Sequence, residues 1–284
     1  TRYFSVVSIA AAVRSLNVQA TAGLYAANKE IYDMLCAGKS LEETLPDGTR
    51  QSFDISFIDF EHPENNIFQV TDEFEVERPN GKFARPDIVV LVNGIPLVII
   101  ECKKSGVDVM DGVTQNIRNW GNDYIPHLFQ YSQMVMAVNP DKVLYGTCGT
   151  PAKYFVSWHE DDKEWLNEWC KKCSPDGSVK EQDRALISLL HPSRLLDIIR
   201  NFIIYDNNVK KICRYKQYFA VKKCMSRILL QDGQNTRNGV VWHTQGSGKT
   251  ITMIMLTKMI LRESLKSDSI IKKPRFVMVT DRVN

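Results

Sequence analysis

Apolar residues recur along this chain at two spacings, and the spacing changes from one segment to the next. Residues 22–37 and 191–204 carry apolar side chains three and four positions apart, which predicts amphipathic helices. Residues 51–77 alternate between apolar and polar positions, which predicts short strands joined by the turn-prone HPENN stretch. A helix and two more strands are predicted between residues 113 and 148. This alternation indicates an α/β fold.

The most apolar segment is RPDIVVLVNGIPLVIIECKK, residues 85–104, which predicts two strands joined at Asn93-Gly94. Three ionisable residues stand at the outer ends of these strands, namely Asp87, Glu101 and Lys103. Ionised groups are rarely placed in such apolar surroundings without a partner or a metal ion. The segment therefore predicts a functional site, and its interruption at the turn leaves it too short to cross a bilayer.

The connection between the two strands decides whether these groups can meet. Glu101 and Lys103 share a face because side chains alternate along a strand. A two-residue turn at Asn93-Gly94 in a regular hairpin would point Asp87 to the opposite face. A three-residue loop, or an equivalent bulge, would place Asp87 diagonally across from Glu101 on the same face. We therefore predict such a loop or bulge.

The residue types suit phosphodiester chemistry. Two carboxylates, Asp87 and Glu101, can hold a divalent cation such as Mg²⁺ beside a phosphate, and the ammonium of Lys103 adds a positive charge next to the reacting atoms. The alternative is an ordinary solvated cluster, because the same spacing occurs by chance in a chain with 24% charged residues. The position at the ends of apolar strands favours the nuclease interpretation.

A second candidate site is the stretch WHTQGSGKT, residues 242–250, which resembles a Walker A phosphate loop. Lys249 would reach the outer phosphates of a nucleotide, Thr250 would ligate Mg²⁺, and the loop amides would cradle phosphate oxygens at a helix N-terminus. His243 stands where the general pattern has its first glycine. The candidate nucleotide-binding residues of this loop are Gly246, Ser247, Gly248, Lys249 and Thr250.

The segments around the phosphate loop predict a βαβ unit. The strand GVVWHT precedes the loop, the helix ITMIMLTKMILRE follows it, and PRFVMVT predicts a second strand. That order predicts a parallel sheet. The alternative for the loop is a glycine-rich turn without a ligand.

The composition indicates the number of domains and the cellular compartment, but it does not identify a binding partner. A chain of 284 residues with 44% hydrophobic content is long enough for two domains. The net charge of +3 arises from 36 basic and 33 acidic residues, so a nucleic-acid site would have to be a local patch. Seven scattered cysteines are typical of a reducing compartment, and we expect a cytoplasmic protein.

A nuclease-type hairpin followed by a motor-type phosphate loop resembles the N-terminal part of the restriction, or motor, subunit of type I restriction enzymes. The stretches QNIRNW, YIPHLFQYSQ, RYKQYFAV and VTDR also carry this resemblance. It implies a restriction-endonuclease-like mixed sheet flanked by helices over residues 1–195. It also implies the start of a RecA-like P-loop α/β domain with a parallel sheet over residues 196–284. We expect the chain to be a fragment of a longer protein.

The resemblance also implies roles for individual residues. Asp87, Glu101 and Lys103 match the family's PD-(D/E)xK nuclease residues, with Asp87 and Glu101 as the metal ligands. Gln115 matches the first residue of its Q-xxx-Y motif. The fourth residue after Gln115 is Asn119, with a tryptophan next, so the aromatic partner is displaced. Gln217 matches the glutamine with which superfamily 2 motors recognise adenine, the alternative being an ordinary exposed amide on a basic helix.

The implied activity is Mg²⁺-dependent cleavage of double-stranded DNA coupled to ATP-driven DNA translocation. The implied partners are the methylation and specificity subunits of the same system. We expect this segment alone to bind nucleotide weakly and not to turn ATP over, because helicase motifs needed for hydrolysis are not found in it. DNA-stimulated ATPase activity of the segment would contradict that expectation.

Three alternatives remain. A type III restriction or DNA-repair fusion of nuclease and helicase is disfavoured, because its nuclease domain more often follows the motor. A non-catalytic nuclease fold could serve as a DNA-binding platform beside a motor. A P-loop kinase or GTPase would need an acceptor or base-recognition motif, which the sequence does not show.

Overall fold

The structure is a computed structural model, and it describes residues 4–45, 47–174, 176–230 and 238–279. The chain divides into two compact units. The first unit comprises Thr1–Arg200 with Tyr205–Ile212, and the second comprises Asn201–Ile204 with Cys213–Asn284. Within the described ranges, no helix has both the length and the apolar character that a membrane span requires.

Helices and strands alternate through the first unit. Its helices are α1 (Val6–Ser15), α2 (Leu24–Ala37), α3 (Val109–Asn119), α4 (Pro126–Phe129), α5 (Lys163–Cys173), α6 (Glu181–Leu190) and α7 (Pro192–Asn201), the last residue of which belongs to the second unit. Its strands are β1 (Lys39–Thr44), β2 (Arg50–Ile55), β3 (Phe68–Asp72), β4 (Val76–Glu77), β5 (Phe83–Ala84), β6 (Ile88–Val92), β7 (Ile95–Cys102), β8 (Met134–Asn139) and β9 (Lys142–Gly146).

The central element of the first unit is a five-stranded sheet in the order β3-β6-β7-β8-β9. All neighbouring strands are antiparallel except β7 and β8, which are parallel and are connected through α3 and α4. Two small hairpins, β1-β2 and β4-β5, lie outside this sheet. The mixed α/β architecture predicted for this part of the chain is confirmed.

Apolar strands place the core of the first unit on both faces of the sheet. Val98 and Ile99, which are adjacent in β7 and point to opposite faces, are both fully buried. Helix α3 covers the face that carries Ile99, and its Val113 packs in a cluster with Ala137 of β8. Because Glu101 shares the face of Ile99, the strand delivers a carboxylate underneath α3.

The β6-β7 hairpin differs from the predicted loop. Asn93 and Gly94 have φ values of 52° and 81°, and Val92 pairs with Ile95, so the connection is a two-residue turn. Of the two predicted alternatives, a three-residue loop or an equivalent bulge, the loop is therefore wrong. The Asn93 side chain stabilises the tight turn, since its Nδ2 donates to the carbonyl of Phe57 at 2.8 Å.

The equivalent bulge, which was the other predicted alternative, is confirmed. The register moves between Val90, which pairs with Val98, and Leu91, which pairs with Pro96, so Leu97 is the extra residue. Further along, Ile88 pairs with Ile100. Extending this register by one residue places Asp87 directly opposite Glu101 on the same face, and not diagonally as predicted.

The second unit contains α8 (Tyr215–Ile228) and α9 (Lys249–Ser264), which pack against each other. The rings of Phe202 and Tyr218 lie 4.6 Å apart within it. A hairpin of β10 (Ile203–Asp206) and β11 (Val209–Ile212) follows α7, and its residues are shared between the two units. Helix α7 is continuous across the predicted domain boundary at residue 195.

The two strands predicted around α9 have no paired neighbour in the part of the chain that the structure describes. Residues 238–243 and 274–279 carry no strand pairing, and Val240 and Val277 are 92% and 88% exposed. A strand exists only through hydrogen bonds to a neighbour, and neither segment has one among the described residues of this unit. The predicted parallel P-loop sheet therefore stays a prediction. The VTDR stretch lies largely outside the described residues, since only Val279 belongs to them.

Candidate active site

Glu101 lies at the centre of the candidate site. Its side chain is fully buried beneath α3, where two amides of the helix meet its two carboxylate oxygens. Gln115 donates from Nε2 to Oε2 of Glu101 at 2.5 Å, and Asn119 donates from Nδ2 to Oε1 at 2.9 Å. Residues four apart lie on one side of a helix, so both donors come from the same face of α3. The carboxylate of Glu101 is thereby held in one orientation.

Asp87 approaches Glu101 from the opposite strand of the hairpin. Its Oδ2 accepts a hydrogen bond from the backbone N–H of Cys102 at 2.6 Å, and its carboxyl group is within hydrogen-bond reach of Glu101. Burial and then the negative charge of Asp87 raise the pKa of Glu101 to about 8. Without a cation beside it, the carboxyl group of Glu101 therefore holds a proton at neutral pH.

Lys103 completes the cluster at the end of β7. Its Nζ donates to Oε1 of Gln115 at 2.6 Å. Gln115 thus uses its carbonyl oxygen for Lys103 and its amide nitrogen for Glu101, which determines the orientation of the amide. The positive charge of Lys103 lowers the pKa of Glu101 and partly opposes the effect of Asp87. The structure brings together all four predicted residues of this site, and it leaves their catalytic roles untested.

A glycine allows α3 to come this close to the sheet. A Cβ atom added at Gly112 would lie 3.1 Å from Cβ of Ala137 and 3.4 Å from the carbonyl oxygen of Glu101. At the start of the same helix, the carboxylate of Asp108 accepts from the N–H of Met110 at 2.9 Å and caps the N-terminus. The local sequence therefore sets both the start of α3 and its distance from Glu101.

The phosphate loop lies in the second unit at the N-terminus of α9. Gly248 is the N-cap with a φ of 82°, and a Cβ there would lie 2.5 Å from Nε2 of Gln217. Gln217 is buried on α8, and its Nε2 donates to the carbonyl of Gly248 at 3.2 Å. The ordinary exposed amide considered for this residue is therefore wrong. Gln217 lies beside the loop, where its role in nucleotide binding is still a prediction.

The lysine of the phosphate loop folds back on the loop itself. Nζ of Lys249 donates to the carbonyls of His243 at 3.3 Å and Thr244 at 3.2 Å. Oγ of Ser247 donates to the same carbonyl of Thr244 at 2.6 Å. Gly246 has a left-handed φ of 75°, and Thr250 is exposed on the first turn of α9. The loop thus presents Lys249 and Thr250 at a helix N-terminus, where phosphate groups bind readily.

Two families of known proteins match this chain, one over the first unit and one over the second. The sequence pattern of the type I restriction enzyme R protein N terminus matches residues 4–154, more than half of the chain. The chain belongs to this family. Residues 216–284 match the SWI2/SNF2 ATPase family, so the second unit is similar to an ATPase.

Curated relatives of the R protein family cover nearly all of the chain. The type I restriction enzyme HindI endonuclease subunit of Haemophilus influenzae is 29% identical over 95% of the chain and 27% of its own length. A Methanocaldococcus jannaschii protein, provisionally named as the type I restriction enzyme MjaIXP endonuclease subunit, is 33% identical over 90% of the chain and 25% of its own length. The chain thus spans about a quarter of the length of these relatives.

The carboxylates of this R protein segment suit a hard divalent cation. Burial and then the charge of Asp87 raise the pKa of Glu101, and a cation between the two carboxyl groups would offset both effects. In the described part of the chain, no three His, Cys, Asp or Glu side chains form a metal-binding group. Water and phosphate oxygens would complete the coordination, as is usual for Mg²⁺.

Asn119 is the site residue whose role the sequence did not predict. It occupies the position of the aromatic residue in the R protein Q-xxx-Y motif, and the expectation was only that the aromatic side chain is displaced. The structure places the Asn119 amide on Glu101. Trp120 instead packs in the core, with its ring 5.8 Å from that of Phe129. The four-residue spacing from Gln115 was the available signal.

Proposed function

We propose that this chain is the DNA-cleaving segment of a type I restriction subunit. It would hydrolyse phosphodiester bonds of double-stranded DNA with Mg²⁺ held by Asp87 and Glu101. The observation that carries this proposal is the meeting of two carboxylates on a buried hairpin, with Lys103 linked to Glu101 through Gln115. Membership of the R protein family and the names of the curated relatives support the same function.

In this proposal the chain's own residues orient and polarise the substrate. When bound, Mg²⁺ supplies a positive charge that neutralises the scissile phosphate and makes a neighbouring water more acidic. Lys103 places an ammonium beside the reacting phosphate and stabilises the charge that develops there. Gln115 keeps Lys103 and Glu101 at a constant separation. The buried strands hold these groups on rigid elements, which limits competing arrangements.

Two arginines on the Tyr124 ring, of which Arg118 lies near the site, favour a nucleic-acid substrate. The guanidinium groups of Arg78 and Arg118 lie 4.0 Å and 5.0 Å from the centre of the Tyr124 ring. Arg118 lies close enough to Glu101 for its charge to lower the pKa of that carboxyl. Neither arginine forms an ion pair with a carboxylate in the described part of the chain. Two unneutralised guanidinium groups on one ring are suited to DNA phosphates.

Lys103→Ala is expected to reduce DNA cleavage on the order of 10²-fold or more, because it removes a charge that acts at the transition state. The measurement is the rate of plasmid linearisation by the complete enzyme assembled with its methylation and specificity subunits. Lys104→Ala is the matched control, since Lys104 is the adjacent exposed lysine and should leave the rate near that of the wild type. Equal rates for both variants and the wild type would remove Lys103 from the proposed mechanism.

We also propose that the second unit contributes to ATP-dependent DNA translocation in the complete enzyme. Phosphate groups would replace the loop carbonyls that now accept from Lys249, and Thr250 would ligate the Mg²⁺ of the nucleotide. Gln217, held beside the loop, would recognise the adenine. Similarity to the SWI2/SNF2 ATPases over residues 216–284 supports this part of the proposal. The proposed partners are double-stranded DNA and the methylation and specificity subunits, and the proposed location is the cytoplasm.

Lys249→Ala is expected to weaken binding of a fluorescent ATP analogue by about tenfold or more, because it removes the ammonium that would reach the outer phosphates. The affinity is measured by fluorescence titration of the 284-residue chain in the presence of Mg²⁺. Lys223→Ala serves as control, since Lys223 is exposed on α8 away from the loop sequence. Unchanged affinity in Lys249→Ala would exclude this loop as the nucleotide site.

A further inference from the structure

Asn119 joins the carboxylate cluster to a positive charge at the end of α3. Its side chain is 2% exposed, and its Nδ2 donates to Oε1 of Glu101 at 2.9 Å. Its Oδ1 accepts from the guanidinium of Arg118 at 3.3 Å. Both ends of the amide are therefore engaged. Because the other carboxylate oxygen of Glu101 is occupied by Gln115, each oxygen has one amide donor from α3.

The orientation of the Asn119 amide follows from these partners. A flipped amide would turn its carbonyl oxygen toward the carboxylate of Glu101 and its NH₂ group toward Arg118. Both contacts would be repulsive, since an acceptor would face an acceptor and a donor would face a donor. The amide nitrogen is thus directed at Glu101 by electrostatics as well as by packing.

Asn116 on the same helix shows what a structural asparagine looks like here. It is fully buried, and its Nδ2 donates to the backbone carbonyl of Met136 at 2.9 Å. That bond fastens α3 to β8 without touching the carboxylates. Asn119 differs because its Nδ2 donates to the side chain of Glu101, which is ionised when it binds a metal ion. Hydrogen bonds to an ionised carboxylate are stronger and more directional than those to a backbone carbonyl.

We propose that Asn119 is a positioning residue that sets the orientation of the Glu101 carboxylate for the divalent cation. This assignment rests on the proposed nuclease function and extends it to a residue outside the four predicted ones. Ligating carboxylates bind a metal well only when partners of their own hold them in place. Gln115 and Asn119 hold opposite oxygens of a carboxyl group that also interacts with Asp87.

The test compares two buried asparagines of one helix. Asn119→Ala and Asn119→Leu remove the amide donor, the second while keeping the branched shape of the side chain, and Asn116→Ala is the matched control. Mn²⁺ binding to the chain is measured by isothermal titration calorimetry, and folding of each variant by circular dichroism. We expect the Asn119 variants to lose about 10- to 100-fold in Mn²⁺ affinity. Asn116→Ala should lose stability and keep the affinity of the wild type.

The Mg²⁺ dependence of plasmid cleavage separates a misoriented Glu101 carboxylate from a general loss of folded enzyme. In the complete enzyme, the Asn119 variants should need more Mg²⁺ to reach half-maximal plasmid cleavage and recover much of the rate at saturating Mg²⁺. Wild-type Mn²⁺ affinity in both folded Asn119 variants would overturn the assignment and leave the nuclease proposal standing. If the wild type binds no Mn²⁺ and cleaves nothing, the proposed function fails and this assignment fails with it.

Discussion

Replacing Asp87 by asparagine is expected to stabilise the metal-free protein at pH 8 and to abolish DNA cleavage by the complete enzyme. The asparagine can keep the hydrogen bond from the N–H of Cys102 through its carbonyl oxygen, and its NH₂ group can donate to Glu101. The substitution thereby exchanges a repulsive pair of carboxylates for a hydrogen-bonded one. It also removes one of the two carboxylates proposed to hold Mg²⁺.

The pH dependence of this effect has a defined sign. The pKa of Glu101 is raised from 4.5 to about 8, by burial first and by Asp87 second, so the folded protein holds this proton more tightly than the unfolded chain. Its contribution to the free energy of unfolding is complete below pH 4.5 and is lost as the pH rises to about 8. Asp87→Asn removes the negative charge that is the second cause of the raised pKa. The free energy of unfolding of the variant should therefore exceed that of the wild type by an amount that grows between pH 4.5 and about 8.

The expected gain in the free energy of unfolding at pH 8 is on the order of 1 kcal/mol, because Asp87 is only the second cause of the raised pKa of Glu101 and one pKa unit is worth roughly 1.4 kcal/mol. It is measured by urea denaturation of the 284-residue chain with a chelator present, at pH 5 and at pH 8. Asp72→Asn, an exposed position on the neighbouring strand β3, is the control and should change neither stability nor cleavage. An Asp87→Asn enzyme that cleaves at the wild-type rate would support the non-catalytic platform instead.

Replacing Lys210 by methionine is expected to destabilise the first unit by about 3 kcal/mol or more. Lys210 is buried in the β10-β11 hairpin, and its Nζ donates to three oxygen acceptors. These are Oδ1 of Asn28 at 2.9 Å, the carbonyl of Ser132 at 3.0 Å and Oε1 of Gln133 at 2.7 Å. Methionine would leave buried acceptors without donors, at a cost of roughly 1–3 kcal/mol each.

Burial of Lys210 also makes the free energy of unfolding depend on pH. Desolvation lowers its pKa from 10.5 to about 7, so the unfolded chain binds this proton more tightly than the folded protein does. The associated stability is therefore present above pH 10.5 and is lost as the pH falls toward 7. The free energy of unfolding of the wild type should rise from pH 7 to pH 9 relative to that of Lys210→Met.

Tryptophan fluorescence during urea denaturation measures this effect, because Trp120 and Trp158 are packed within the first unit. The control is Lys211→Met. Lys211 is the next residue and forms a partly exposed ion pair with Asp206 at 2.5 Å, which should be worth less than about 1 kcal/mol. Similar losses in both variants would show that the three buried acceptors do not carry the stability assigned to them.

The hairpin shows how far the sequence alone leads. Apolar residues between 85 and 104 predicted both strands, and the charged residues at their ends predicted the cluster. Of the two predicted alternatives the bulge was confirmed and the three-residue loop was wrong, because Asn93-Gly94 forms a two-residue turn and the extra residue is at Leu97. Pro96 was the available signal, since a residue without an N–H cannot complete the ladder and is typical of bulges and edges.

In the second unit, the sequence predicted the helix correctly but does not identify the partners of the strands. Its helix α9 and the phosphate loop could be predicted from local pattern, because helices form their hydrogen bonds within one segment. The strands predicted at 239–244 and 274–280 depend on partners elsewhere, and local pattern does not supply those. Gln217 could be named by resemblance, but its contact with Gly248 follows from the packing of α8 on α9.

By itself, the sequence determined helix α2, the two strands of the buried β6-β7 hairpin and the ionisable residues that stand at the ends of that hairpin. Periodicity and residue type are local properties, so a single segment is enough to show them. Only the tertiary structure decided that Asn119 meets Glu101 and that Lys210 reaches Asn28. Such contacts join distant parts of the chain, and a displacement of one residue in a strand or helix changes which side chains meet.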